Sequence, residues 1–418
     1  MHIRRLLEIA QARFADDPVV LLEGPRTVGK SALLQEIAAI NRVSVVDLDN
    51  PPTFDAVNAD PAAFVAGPPP IMIDEYQKVT RLLDAIKSEL NKDGSAGRFI
   101  ITGSTRYEAL PLIAQALTGR LHQLTVHPLT QGEINGVKEH FLEELFSDSN
   151  RSVKEMAAVA STTTRTEYIE KITAGGFPIA LNRKSPTSRG RWFDDYIKLT
   201  LGRDLKSISN VKKDADLSKI LTKLAGQTAQ ILNINRIANE LEISQETARR
   251  HLKLLEAVFL VYELDAWGTT LNARSASHPK IHMTDSGVAA RLMRLTTEKL
   301  EKKNGADQTE LGHLLETFVV GELIRQASWM DGIAGIGHWR TYDQQEVDLV
   351  IERDDGTLIA FEVKTAGAAS PADFKHLRTL RDKMGTVFTA GVVFYLGDRA
   401  YTIEDRLHVI PVDRLWVP

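Results

Sequence analysis

Over residues 1–130 the apolar positions follow two alternating rhythms. Short β-rich runs, VVLLEGP, VSVVDLD, PPIMIDE, RFIITGS and RLHQLTV, are separated by helical stretches such as GKSALLQEIAAIN and VTRLLDAIKSELNK. That rhythm predicts a parallel sheet with helices on its faces. The proline-rich PPTFDAVNADPAAFVAGPPP reads as a surface excursion before the third strand. Beyond HPLTQGE the pattern turns mainly helical, which predicts a helical connector or lid over residues 131–205. Within it, SDSNRSVKEMAAVASTTTRTE is polar and weakly patterned, and a flexible loop is expected there. Several short helices follow over residues 206–262, inside a third unit placed at 206–300. The charged TEKLEKKNGADQTE reads as a linker. A fourth unit, residues 305–418, mixes one long helix, a hairpin, another helix and final strands. No internal repeat or low-complexity tract is found. The fold class is multidomain α/β.

Composition narrows the function classes. A chain of 418 residues is long enough for about three domains. Its 43% hydrophobic and 25% charged residues are ordinary for a soluble globular protein. The net charge of −4 means that any nucleic-acid contact has to come from local patches. With no cysteine, disulfides, thiolate metal sites and cysteine nucleophiles are excluded. The N-terminal MHIRRLLEIAQARFADD reads as a short helix rather than a signal peptide. No apolar run approaches the roughly 20 residues that span a bilayer. A cytoplasmic location without a membrane partner is expected.

Gly24-Pro25-Arg26-Thr27-Val28-Gly29-Lys30-Ser31 fits G-x-x-x-x-G-K-[ST] in full, after an apolar strand and at the opening of a helix that continues with Ala32. The glycines let backbone N–H groups wrap phosphates, and the helix N-terminus adds its dipole. Lys30 is expected to reach the β/γ-phosphates and Ser31 to hold Mg²⁺, so ATP and Mg²⁺ are the expected cofactors. The strand IMIDEYQ supplies the partner acids: Asp74 to bind Mg²⁺ through water, and Glu75 to orient or deprotonate the attacking water. Ser104, ending FIITGST, is placed either as a polar sensor of the γ-phosphate or as a buried serine bonded to backbone. Arg120, in LTGR, is either a finger that stabilises transition-state charge, in cis or from a neighbouring subunit, or half of a structural salt bridge. An oligomer through the ATPase domain is compatible with this.

In the third unit, NINRIANELEISQETARRHLKLLEAVFLVYEL has the spacing of a winged helix-turn-helix. INRIANEL is a short amphipathic helix, Ser244 is expected as the N-cap of a second helix with Thr247 near its third position, and FLVYEL begins a strand of the wing. Arg249, Arg250 and Lys253 are placed where they could meet DNA phosphates. Lys206 to Glu256 holds ten Lys, Arg or His against six Asp or Glu, a local positive balance. A protein-contact or lid module is the alternative to DNA binding.

In the fourth unit EVDLVIE and LIAFEVK alternate strictly around the turn RDDGT. A turn centred on Asp355 sets Asp348 directly opposite Glu362. Glu346, Asp348, Glu362 and Lys364 then share one face, and Val347, Leu349, Ile351, Ile359, Phe361 and Val363 the other. Opposed carboxylates repel unless a divalent metal, the nearby Lys364 or a shared proton intervenes. Upstream, Glu316 and Glu322 lie on one long helix, from which one could point at the same cluster. An Asp–Glu–Glu set suits Mg²⁺, with Mn²⁺ as a substitute, and a lysine suits a nucleophilic water. A purely structural hairpin is the other reading.

Together these stretches resemble the prokaryotic AAA-type P-loop ATPase family that carries a C-terminal domain of unknown function with a PD-(D/E)XK nuclease-like core. LLEGPRTVGKSALL, IMIDEYQ and FIITGS are similar to its ATPase motifs. YIKLTLGRDL, with Arg203 and Asp204, is similar to its interdomain helix, and PKIHMTDSGVAARL to the segment after its winged helix. LLETFVVGELIR, EVDLVI and FEVK are similar to its nuclease-like core. The resemblance implies that Asp348, Glu362 and Lys364 bind metal and activate water, assisted by Glu316. It leaves three roles open: ATP-regulated, DNA-binding enzyme with metal-dependent endonuclease activity; nucleotide-switched binding protein with a nuclease-like scaffold; or ATP-driven DNA translocase.

Overall fold

The structure, a computed structural model, describes residues 4–79, 81–106, 117–205, 214–270, 278–302 and 305–417. The N-terminal part runs α1 (Leu6–Asp16), β1 (Val19–Glu23), α2 (Lys30–Asn41), β2 (Val45–Asp47), α3 (Pro51–Ala59), α4 (Pro61–Val65), β3 (Ile71–Asp74), α5 (Leu82–Lys92), β4 (Phe99–Gly103) and β5 (Leu121–Thr125). All five strands are parallel, in the order β2-β3-β4-β1-β5. Every residue of β1 is buried, as a strand covered on both faces requires. Val20 and Leu22 pack to one side, Val19 and Leu21 to the other. The proline-rich excursion is helical: Asn50 and Asp60 cap α3 and α4, each with proline in the first turn.

The connector comprises α6 (Gln131–Asn135), α7 (Phe141–Ala157), α8 (Arg165–Ala174), α9 (Pro178–Leu181) and α10 (Pro186–Leu199), which ends in a π-turn, Thr200–Asp204. The loop expected at SDSNRSVKEMAAVASTTTRTE is therefore largely helix, broken only where Asp148 departs from helical geometry and between α7 and α8. Tertiary contacts override the weak local pattern. Leu142, Leu145, Phe146 and Val153 are buried, and the Phe141 ring lies 5.5 Å from Phe394 near the end of the chain. Thr164 and Glu167 start α8 with a reciprocal capping box.

Next come α11 (Asp214–Ala225), β6 (Gln230–Ile231), α12 (Ile234–Glu240), α13 (Gln245–Ala257), β7 (Val261–Leu264) and β8 (Lys280–Met283), followed by α14 (Ser286–Leu292) and α15 (Thr297–Glu301). The strands form a small antiparallel sheet, β6-β8-β7. Ser244 caps α13 by accepting the Thr247 N–H at 3.1 Å, as the sequence predicts. Residues 271–277, within the expected wing, and Lys206, Lys212 and Lys213 lie outside the described residues.

The C-terminal part holds α16 (Gly305–Ala327), β9 (Ile333–Arg340), β10 (Glu346–Arg353), β11 (Leu358–Val363), α17 (Lys375–Met384), β12 (Phe388–Tyr395), β13 (Tyr401–Glu404) and β14 (Leu407–Pro411). Its mixed sheet runs β13-β14-β12-β11-β10-β9. Leu349 pairs with Phe361 and Ile351 with Ile359, the register expected for a turn centred on Asp355. The pattern fails at Val347. A bulge between Val347 and Val350 turns Val347 to the face that carries Val350, Leu358 and Ala360, which α17 covers through Leu377 and Leu380. The face assigned as polar is therefore mostly apolar core, polar only at one end.

Two of the seams between these parts involve the end of the chain and the β9 edge. The end of the chain returns to the connector: Trp416 meets Tyr168 edge-on with ring centres 6.3 Å apart, and Asp413 accepts hydrogen bonds from Ser161 and Thr163. The segment after β7 adds to the edge of β9. There the Trp267 N–H donates to His338 O at 2.6 Å, and the His338 N–H to Asp265 O at 3.0 Å. Gly337 permits this approach, since a Cβ there would stand 2.5 Å from Asp265 O.

Candidate functional site: a phosphate cradle and a carboxylate centre

The cradle sits between β1 and α2 at the C-terminal end of the parallel sheet, where such sheets bind ligands. Gly24 has φ +153°, and a Cβ on it would lie 2.3 Å from Val126 O, so the loop can pass β5 only with glycine here. Pro25 and Val28 are buried, Thr27 is exposed, and Gly29 caps α2. Ser31 and Ala32 are exposed in the first turn of α2. The Lys30 ammonium donates to Gly24 O at 2.9 Å and Pro25 O at 2.8 Å. Burial lowers its pKa to about 8, against the pull of Glu75 and with help from Arg26.

Asp74 ends β3 and Glu75 follows it, separated from the cradle strand by β4. Thr102 of β4 organises both: its hydroxyl donates to Asp74 Oδ1 and accepts the Glu75 N–H at 3.2 Å. Glu75 adopts a left-handed conformation, φ +56°. Its carboxylate accepts from Gln77 Nε2 and, at 3.3 Å, from the Ser104 hydroxyl. Ser104 is thus tied to the candidate base rather than to backbone. Mg²⁺ keeps several waters and needs few protein oxygens. The exposed Ser31 hydroxyl and the Asp74 carboxylate are a donor set of that kind.

One expected cradle residue has an unforeseen partner, and one lies elsewhere. Arg26 Nε donates to Asp204 Oδ1 at 2.6 Å, tying the phosphate loop to the connector's π-turn. Arg120 directly precedes β5, whose Leu121 pairs with Val19 at the start of β1. The cradle follows the end of β1, five residues or roughly 16 Å away along the strand. Arg120, bonded to Asn91 Oδ1 at 2.7 Å, is therefore no finger for its own chain's cradle.

A proton-linkage experiment follows from Lys30. With its pKa at about 8, the side chain is close to half protonated at pH 8. Triphosphate beside it favours the charged form. ATP binding at pH 8 is expected to take up roughly half a proton, falling toward zero near pH 6.5. Calorimetry in buffers of different ionisation enthalpy reads this directly, and Lys30→Ala should abolish the uptake.

The second cluster lies where α16, β8, β10 and β11 meet. Asp348 and Glu362, each one residue beyond the last paired position Leu349–Phe361, are both buried. Asp348 Oδ2 accepts the Val363 N–H at 3.0 Å, and Lys364 Nζ donates to Glu362 Oε2 at 2.7 Å. Burial and the Asp348 charge push Glu362 up to about 8, whereas Lys280 and Lys364 hold Asp348 below the usual carboxylate range despite its burial. Sequence reasoning missed Lys280. This side chain, 1% exposed, leaves β8 and reaches Glu316 Oε1 at 2.7 Å, Glu346 Oε1 at 2.7 Å and Asp348 Oδ1 at 3.0 Å. Burial opposes its charge, but the three carboxylates raise its pKa well above the ordinary lysine value. Glu316 thus joins the centre. Glu322 does not: its carboxylate accepts the Gln131 N–H at 3.0 Å and pairs with Arg325 at 3.1 Å. Among the described residues no group of three or more His, Asp or Glu is arranged to hold a metal ion. The Asp348–Glu362 pair as it stands does not fit one, because Lys280, Lys364 and the Val363 N–H occupy three of its four oxygens.

On α13, Arg249 and Arg250 are exposed. Lys253, also exposed, pairs with Glu256 and Glu263, each at 2.7 Å. The far end of α13 touches the nucleotide domain. Arg106, two residues beyond Ser104, donates through its backbone N–H to Ala257 O at 2.9 Å and through Nε to Glu256 O at 3.0 Å. Its guanidinium also covers the Phe259 ring at 4.8 Å. No helix among the described residues is long and apolar enough to cross a membrane.

Three family models match this chain. Residues 16–135 match an AAA domain, residues 165–299 a domain of unknown function (DUF8612) and residues 311–415 another domain of unknown function (DUF4143). Uncharacterized proteins of Mycobacterium bovis and Mycobacterium tuberculosis are each 26% identical over 401 residues, which is 95% of this chain and 81% of theirs. Among solved structures, a Thermotoga maritima protein titled RuvB Holliday junction branch migration motor is 20% identical, over 61% of this chain and 86% of that one, with a TM-score of 0.26. AMPPCP-bound DnaA from Aquifex aeolicus is 13% identical over 60% of this chain and 86% of that one, with a TM-score of 0.27.

Proposed function

We infer from an N-terminal AAA-type P-loop ATPase domain that this chain is an ATP-hydrolysing switch that acts on DNA. In this reading four units cooperate: the ATPase domain (1–130), the connector (131–205), a winged helix-turn-helix (206–300) that meets DNA through α13, and a nuclease-like unit (305–418). The observation that carries it is the physical link from nucleotide site to α13. Ser104 bonds Glu75, and Arg106, two residues on, grips the carbonyls that end α13. A γ-phosphate that repositions Ser104 would thereby move the helix that carries Arg249 and Arg250. Arg26 and Asp204 supply a second link, through the connector.

The test is DNA binding. Arg249→Ala with Arg250→Ala should weaken binding uniformly across sequences and reduce the log–log salt slope by about 0.9 for each phosphate interaction removed. Fluorescence anisotropy at several salt concentrations, with and without ATP, measures it, and DNA should stimulate ATP turnover in the unaltered chain. An unchanged slope moves α13 to a protein-contact role and leaves a nucleotide-switched binding protein. The pairing of Lys253 favours that second reading. Metal-dependent cleavage of DNA by Asp348, Glu362 and Lys364, with Glu316 beside them, would first require Lys280 to leave the carboxylates. The nicking of plasmid DNA in Mg²⁺ or Mn²⁺ distinguishes it from a scaffold role.

A further inference from the structure

A lysine ammonium has three N–H donors and no acceptor. Lys280 directs its donors at three carboxylates on two elements, Glu316 on α16 and Glu346 and Asp348 on β10, within 2.7 to 3.0 Å. The remaining acid, Glu362, is taken by Lys364, and Glu346 Oε2 by Arg340 Nη1 at 2.8 Å. An ion pair this deep is costly to assemble and more costly to break, because removing one partner strands the others without counter-charge. Lys280 does not belong to the unit whose acids it neutralises. It opens β8, the central strand of the small sheet, paired with Leu264 on one side and Ile231 on the other. That sheet is docked on β9 through the Asp265, Trp267 and His338 backbone bonds and the bare face of Gly337.

We propose that Lys280 is an internal plug. Its ammonium occupies the cation position of the C-terminal carboxylate centre and excludes a divalent metal for as long as the small sheet is docked on β9. Metal entry to Glu316, Glu346 and Asp348 therefore requires withdrawal of the middle unit. The C-terminal centre is closed in the docked chain whatever nucleotide or nucleic acid the other units hold. This inference rests on the carboxylate centre and not on the ATP or DNA readings, so its failure would leave those untouched.

The test uses the full chain without nucleotide and Mn²⁺ as the probe, with bound metal counted by electron paramagnetic resonance and stability followed by thermal unfolding. The unaltered chain should show no site that Asp348→Asn removes. Lys280→Met should gain about one Mn²⁺ per chain, since Glu316 and Asp348 then lose their ammonium partner and Glu346 keeps only Arg340. The gained site should vanish in Lys280→Met with Asp348→Asn. Lys280→Met should also unfold at lower temperature in EDTA and recover in Mn²⁺. Lys280→Arg, which keeps a cation in place, should gain no metal. Lys280→Gln provides the same comparison where Lys280→Met does not fold. The proposal is overturned if the unaltered chain binds Mn²⁺ at a site lost with Asp348→Asn. It is equally overturned if a folded neutral variant at position 280 gains none.

Discussion

Replacing Glu75 with Gln should leave ATP binding intact and slow turnover by about 10²–10⁴-fold, the usual contribution of a positioned general base. The substitution keeps the size and planarity of the side chain, so the contacts to Gln77 and Ser104 can re-form with the amide. It removes only the charge that would orient or deprotonate the attacking water. Ground-state phosphate contacts come from the loop, Lys30 and Ser31, across β4 from Glu75, and are spared. A fluorescent ATP analogue reports the affinity, and steady-state phosphate release the rate. The split matters: a fall in kcat without loss of affinity marks an interaction made in the transition state. Turnover within a few-fold of the unaltered chain would move the role to another acid.

Lys30→Ala should remove both binding and turnover. The ammonium lies inside the loop, 5% exposed, against Gly24 O and Pro25 O. It is the cradle's own cation, because Arg26 is already engaged by Asp204. Taking two charge-assisted hydrogen bonds to phosphate away from a desolvated site corresponds to about 100-fold or more in affinity. Calorimetry with ATP and Mg²⁺ checks it, and unchanged affinity and turnover would reject the phosphate-cradle reading.

What the sequence made legible follows from how local each signal is. The cradle is eight consecutive residues with strand before and helix after, and it lies where expected. The hairpin register is readable because alternation and a short turn leave few choices, and Leu349 does face Phe361. The bulge that turns Val347 is not, since nothing in EVDLVIE marks it. Lys280 is invisible because its partners lie 36 and 68 residues away and its neighbours read as an ordinary buried strand. The Arg26–Asp204 pair spans 178 residues and is equally hidden. Two placements do carry a local signal. Arg120 stands before a strand of a parallel sheet, hence at the end opposite the cradle. Lys253 has Glu256 three residues on, within reach on a helix.

The return of the chain's end onto the connector has a consequence for synthesis. Tyr168 is covered by Trp416 and Phe141 by Phe394, while Thr163 and Asp413, which bond each other, are 250 residues apart. At ~5–20 residues per second the ribosome needs roughly 12–50 s to make that cover after the connector has emerged. For that interval an aromatic surface is bare on a nascent chain, and α7 lacks the strands that bury its apolar side. The connector, though encoded early, matures last. A nascent-chain chaperone would find it bare, and a chain released before Phe394 and Trp416 are made would have a sticky middle.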